Sequence, residues 1–182
     1  MFSPSNKTAV VQSIEGFNVD PPTSEAQAGQ SVGITLDEQI FVERGEIASH
    51  RDSIPLVSTA IRVNLFWMGR RALDKSRKYT LRLATREVAC EVAAIHRIID
   101  TADLAQLQES QSVARNQVAE LTLRVKAPLA FDLSSSFEST GRFVLVDEYD
   151  IAGGGIITEL VHDEQEGLRE EARQREYAWL TG

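Results

Sequence analysis

Three histidines, His50, His96 and His162, and one cysteine, Cys90, are the side chains best suited to metal binding or nucleophilic chemistry. The histidines stand far apart, with no HxxxH or HxH pair to seed a metal site. Cys90 and His96 share the stretch 86–99, where strict alternation puts them on one face. A catalytic Cys–His pair needs hydrogen-bond contact, but six residues of strand span ~20 Å at about 3.3 Å per residue. Both residues are therefore expected to be structural. The one Gly-rich run, 152–156 (AGGGI), follows RFVLVDEYD and precedes ITELV, which reads as strand, turn, strand. A phosphate cradle needs a strand leading into a helix, so a tight turn or bulge with close packing is expected instead. Ser134, Ser135 and Ser136 lack a paired base and read as loop. No catalytic, cofactor-binding or metal-binding residue emerges.

What remains is charge. The 182 residues carry 27 acidic and 19 basic side chains, a net charge of -8. That balance argues against broad nucleic-acid binding, which calls for a basic surface. The average conceals an asymmetry. Seven of the 19 basic residues fall within 70–86: Arg70, Arg71, Lys75, Arg77, Lys78, Arg82 and Arg86, opposed only by Asp74. These seven are the candidate contact face for an anionic partner; the plainer alternative is a hairpin whose outer positions are solvated. From Asp163 to Glu176 the chain carries six acids against three arginines, so a partner in cis is also conceivable.

The elements that would carry these residues are mostly strands. Alternation of apolar and polar residues predicts strands over 58–68, 78–84, 86–99, 116–127 and 142–147. Pro128 should end the fourth, because it cannot donate to a ladder. The spacing suits a closed antiparallel barrel over 52–159. Residues 1–51 predict a weaker β unit with strands at 7–14, 31–36 and 39–42, too few to close a barrel, so exposed edges and self-association are expected. A polar linker covers 49–55, ending in Pro55. Residues 101–112 suit a short helical turn or loop. From 160 to 182 the period becomes helical, with Val161, Leu168, Ala172 and Trp179 forming a thin stripe.

Composition excludes other classes. At 42% hydrophobic and 25% charged residues the chain is of soluble globular type. No apolar run approaches the ~20 residues that span a bilayer, and the first residues do not read as a signal peptide. A lone cysteine forms no internal disulfide, and a reducing cytoplasm is its simplest home.

Two stretches carry a resemblance. Residues 28–49 (AGQSVGITLDEQIFVERGEIAS) resemble the end of the second domain of translation-factor-type GTPases. Residues 61–104, with Phe66-Trp67-Met68, the Arg70-Arg71 turn, Tyr79-Thr80-Leu81-Arg82, Thr85-Arg86 and Ile98-Ile99-Asp100, resemble the third domain of the large GTPase subunit of bacterial sulfate adenylyltransferase. Residues 116–133 and 141–157 continue it. The resemblance implies an elongation-factor-Tu-type domain 3 barrel preceded by part of a second barrel. It also implies sulfate activation, in which GTP hydrolysis drives a separate catalytic subunit that makes adenylyl sulfate. The GTP and Mg site of that family lies in an N-terminal domain. No P-loop, switch or base-recognition motif occurs in this sequence, so no catalytic residue carries over. The implied partners are the catalytic subunit and a GTPase domain in cis. The stretch ending Tyr177-Ala178-Trp179-Leu180 looks like the lead-in to a fused adenylylsulfate kinase domain. The implied role is a scaffold without chemistry of its own. The rival is an RNA-binding barrel pair of an elongation or selenocysteine-specific factor, using the basic 70–86 face on phosphates.

Overall fold

Alternation decides which side of each strand is buried. In Leu56–Trp67, Ile61, Val63, Leu65 and Trp67 are fully buried, whereas Asn64 and Phe66 between them face outward. A computed structural model of the protein describes residues 1–16, 24–100, 106–107 and 112–161. Its strands in chain order are β1 (Phe2–Ser3), β2 (Val11–Glu15), β3 (Gly33–Leu36), β4 (Ile47–Ala48), β5 (Leu56–Trp67), β6 (Leu73–Asp74), β7 (Lys78–Leu83) and β8 (Arg86–Asp100). They continue as β9 (Gln106–Leu107), β10 (Ser112–Val113), β11 (Gln117–Phe131), β12 (Arg142–Asp147) and β13 (Asp150–Val161), with one helical turn, α1 (Glu138–Gly141), before β12.

Six of these form one antiparallel sheet in the order β11-β5-β13-β12-β7-β8, and β8 also pairs with β11. The sheet therefore closes on itself, which removes its edges. Inward side chains from all six strands, among them Trp67, Leu81, Leu121, Leu123, Leu145 and Ile157, form one core. The barrel expected from the spacing is present.

Several local expectations are corrected. β11 runs through Pro128 to Phe131. Its register against β5 shifts between Arg124 and Leu129, so four residues of β11 face only Thr59, and Pro128 sits where no ladder bond is required. In β8 the register against β11 shifts twice, leaving Ala93 and His96 as extra residues. The first shift turns Ile95 toward the core, and the second restores Ile98. His96 thus lies outside, bonded to Thr122 Oγ1 at 2.7 Å, while Cys90 is buried; they do not share a face.

The glycine run is not a turn but carries the expected bulge, where the register of β13 against β12 shifts at Ala152. Gly153–Gly155 lie within β13, and the turn comes earlier, at Glu148 and Tyr149, with Glu148 at φ 59°. The close packing is real. A Cβ on Gly155 would lie 2.6 Å from the Asn64 carbonyl oxygen and 2.7 Å from the Phe143 ring. Residues 39–42 form no strand; the Phe41 carbonyl accepts the Lys7 ammonium instead. Residues 47–48 pair with 2–3, and β2 pairs with β3, giving two small sheets before the barrel. Residues 106–107 are strand, paired with 98–99, rather than part of a helical turn. β13 extends to Val161, two residues into the segment expected to be helical. The remainder of that segment, with His162, lies outside the described residues.

Gly45 joins the early sheets to the barrel. Its φ is +95°, and a Cβ there would lie 2.6–2.9 Å from Arg86 atoms. Only glycine adopts this backbone cheaply and permits this approach.

Candidate functional site

Trp67 organises one end of the barrel. It is fully buried and meets Tyr79 edge-on, with ring centroids 5.7 Å apart and an interplanar angle of 81°. Its indole Nε1 donates to the Arg71 carbonyl at 2.8 Å, and its own carbonyl accepts the Asn116 amide at 2.7 Å. One residue thus secures both the 68–71 turn and the 114–117 turn. Gly69 follows because a Cβ there would stand 2.6 Å from the indole ring. The Met68 amide donates to the Ala152 carbonyl at 2.7 Å, fastening the first turn to β13. In the second turn the Ala114 amide donates to Gln117 Oε1 at 2.8 Å.

Tyr79 supports the neighbouring turn. Its hydroxyl accepts the Asp74 amide at 2.8 Å and lies 3.2 Å from the Asp74 carbonyl, to which it donates. Burial pushes this hydroxyl above its ordinary value, against the opposing effects of the Asp74 backbone bond and Arg77. The Ser76 hydroxyl and amide both donate to Asp74 Oδ1, at 2.6 and 2.7 Å, and hold that carboxyl below its ordinary range.

The β12–β13 turn faces these two. Arg77 grips Asp147 with two bonds, Nη2 to Oδ1 at 2.6 Å and Nη1 to Oδ2 at 3.1 Å. Arg71 Nη2 donates to Glu148 Oε1 at 2.6 Å, and this bond raises the Arg71 pKa. Such paired geometry suits the planar guanidinium. Between the turns lies a cleft of about 630 Å³, lined by Met68–Arg71, Arg115 and Asp147–Ala152. That volume is ordinary for a binding cleft.

Ion pairs divide the seven basic residues. Arg71 and Arg77 are committed to the β12–β13 turn, and Arg82 pairs with Glu87 at 3.1 Å. Arg86 reaches toward Glu43 at 4.0 Å, at the far end of β7, where Gly45 packs against it. Arg70, Lys75 and Lys78 are exposed and make no ion pair among the described residues. Arg70 alone of these three lines the cleft. Sequence reasoning missed Arg115, exposed at the tip of the 114–117 turn, and Tyr149, 97% exposed at the hairpin tip. The available signal was the turn chemistry of Asn116 and of Asp147–Asp150, each with one residue at positive φ.

Other groups are structural. Burial, and after it the charge of Glu91, pushes the Cys90 thiol up to about 12, which disfavours the reactive thiolate. Among the described residues no group of three or more His, Cys, Asp and Glu side chains could hold a metal ion. Among them, too, no helix is long and apolar enough to cross a membrane.

The fold of the chain is shared with a solved structure. The crystal structure of sup35 complexed with GDP superposes with a TM-score of 0.79 over 89% of this chain and 40% of that one, at 14% identity. The chain belongs to the GTP-eEF1A C-terminal domain-like family, whose sequence profile matches residues 60–158. Relatives narrow the comparison. It is 30% identical over 158 residues to sulfate adenylyltransferase subunit 1 of Francisella tularensis subsp. tularensis (strain WY96-3418), covering 85% of this chain and 33% of that protein. It is 33% identical over 156 residues to the bifunctional enzyme NodQ of Azospirillum brasilense, covering 85% of this chain and 25% of that protein. The chain spans about a third of the length of the sulfate adenylyltransferase relative, and less of the bifunctional one.

Proposed function

We propose that the chain serves as the barrel region of a sulfate adenylyltransferase large subunit, a scaffold without chemistry of its own. The observation that carries this reading is the 30% identity to sulfate adenylyltransferase subunit 1, sustained over 158 residues from the early sheets through the barrel. A closed barrel with a packed core is a rigid body, suited to holding a partner or bearing a nucleotide-switched domain. In this reading residues 52–159 are the domain 3 barrel and 1–51 part of the second barrel. GTP, Mg and the making of adenylyl sulfate belong to other domains and to the catalytic subunit, and the setting is the cytoplasm. The similarity to NodQ supports a fused adenylylsulfate kinase as a further partner in cis.

The test is co-expression with a catalytic subunit. The chain should co-purify with it, while the chain alone should form no adenylyl sulfate from ATP and sulfate and bind no GTP by calorimetry. Turnover by the chain alone, or failure to co-purify, overturns the reading. The RNA-binding alternative is disfavoured, because four of its seven basic residues are paired within the chain. Absence of RNA binding at low salt, where phosphate contacts are strongest, removes it.

Self-association belongs to the same reading. Val10, Val11, Ile34 and Phe41 expose 66%, 49%, 43% and 75% of their surfaces around the β2–β3 pair, whose outer edges are unpaired among the described residues. Such edges accept further strands. Light scattering should show mass rising with concentration; a constant monomer mass up to millimolar protein counts against it.

A further inference from the structure

We propose that the cleft at the Trp67 end of the barrel is a docking site for an acidic, apolar-flanked segment of a protein partner, received by Arg70 and Arg115. The proposal rests on reading the chain as an interaction module. Both arginines line the cleft, both are exposed, and neither forms an ion pair among the described residues. Each rides on a turn that Trp67 secures, one through the indole N–H and the other through the carbonyl. Their backbones are thus positioned before any partner arrives, which lowers the ordering cost of binding.

Charge bookkeeping selects the occupant. Asp147 is held by Arg77, and Glu148 by Arg71 and Arg77, so of the lining carboxylates only Asp150 is left to offset Arg70 and Arg115, and a positive charge remains. Beside the two arginines stand Met68, Tyr149 and Ile151, at 42%, 97% and 58% exposure. Aromatic residues, Met and Arg are the types enriched where proteins meet, and Tyr and Arg dominate binding energy there. A nucleic-acid backbone fits poorly, because it calls for a stripe of cations, whereas the cleft offers only two arginines without an ion pair among the described residues.

The test uses the full chain and a fluorescein-labelled peptide of alternating Glu-Glu-Leu triplets, with a Gln-for-Glu peptide and single-stranded RNA as comparisons. Anisotropy should show the acidic peptide binding and the Gln peptide binding at least tenfold more weakly. The double substitution Arg70→Glu with Arg115→Glu should weaken acidic-peptide binding at least tenfold, and Tyr149→Ala severalfold. Lys78→Glu, outside the cleft, should change it less than twofold. Unchanged melting temperatures would show that the variants fold, since all four side chains are exposed. No peptide binding, equal loss in Lys78→Glu, or tighter binding of RNA overturns the proposal. Co-purification with a catalytic subunit that survives such a result leaves the scaffold reading standing. Conversely, cleft-dependent peptide binding without co-purification removes that reading and keeps the site.

Discussion

The Trp67 indole donates to the Arg71 carbonyl at 2.8 Å from a side chain with no exposed surface. A core residue thereby sets the path of the surface turn that carries Arg70. The same residue's carbonyl holds Asn116, beside Arg115. Packing inside the barrel and presentation at its end are thus one arrangement.

Trp67→Phe should keep most of the ring packing but leave the Arg71 carbonyl without its donor. Losing such a bond costs about 1–3 kcal/mol. Urea denaturation should register that loss, while the amide of Asn116, held by the backbone carbonyl of residue 67, should keep its hydrogen bond. A variant as stable as the parent would show that the indole bond contributes nothing.

Neighbouring glycines in β13 should respond oppositely. Gly155→Ala drives a methyl group to 2.6 Å from the Asn64 carbonyl and should cost about 1–3 kcal/mol, the usual effect of overpacking. At Gly154 nothing lies within 4 Å of the added Cβ. Gly154→Ala should therefore be neutral or stabilising by up to about 1 kcal/mol, through the entropy of the unfolded chain. Thermal melting of the two variants decides the matter.

Gly45→Ala should loosen the early sheets without melting the barrel. Its φ of +95° and its closeness to Arg86 make the substitution doubly unfavourable. Limited proteolysis should cut faster within 49–55, while the barrel core keeps its hydrogen-exchange protection. Equal cutting rates would mean that Gly45 does not couple the two parts.

Cys90 should make stability fall in alkali. Burial raises its thiol from 9.0 to about 12 in the folded chain. Below the ordinary value both folded and unfolded chains are protonated, so its full contribution is present. Above it the unfolded chain ionises first, and that contribution is lost progressively as pH rises towards the folded value. Between pH 8 and 10.5, Cys90→Ala should lose less stability than the parent. In native buffer a thiol reagent should leave Cys90 unmodified and react fully only in denaturant.

The sequence by itself determined the barrel, because alternation over long strands is a local signal. Tyr79, Leu81 and Leu83 turn inward as their spacing requires, and so do Ala119, Leu121 and Leu123. It did not determine where alternation breaks. The extra residues Ala93 and His96 in β8 depend on register against β11, and the passage of β11 through Pro128 depends on its shift against β5. Register is a relation between strands, and no single strand encodes it.

The basic run divides for the same reason. Arg70 to Arg86 are contiguous in sequence, yet Asp147, Glu148, Glu87 and Glu43 neutralise four of the seven. All four acids lie outside the run, and three of them come from segments distant in the chain. The sequence alone showed a concentration of charge; which charges remain free, and that Arg115 joins Arg70 across the cleft, was decided by tertiary structure. Coulomb attraction acts through space, and closing the barrel sets those distances.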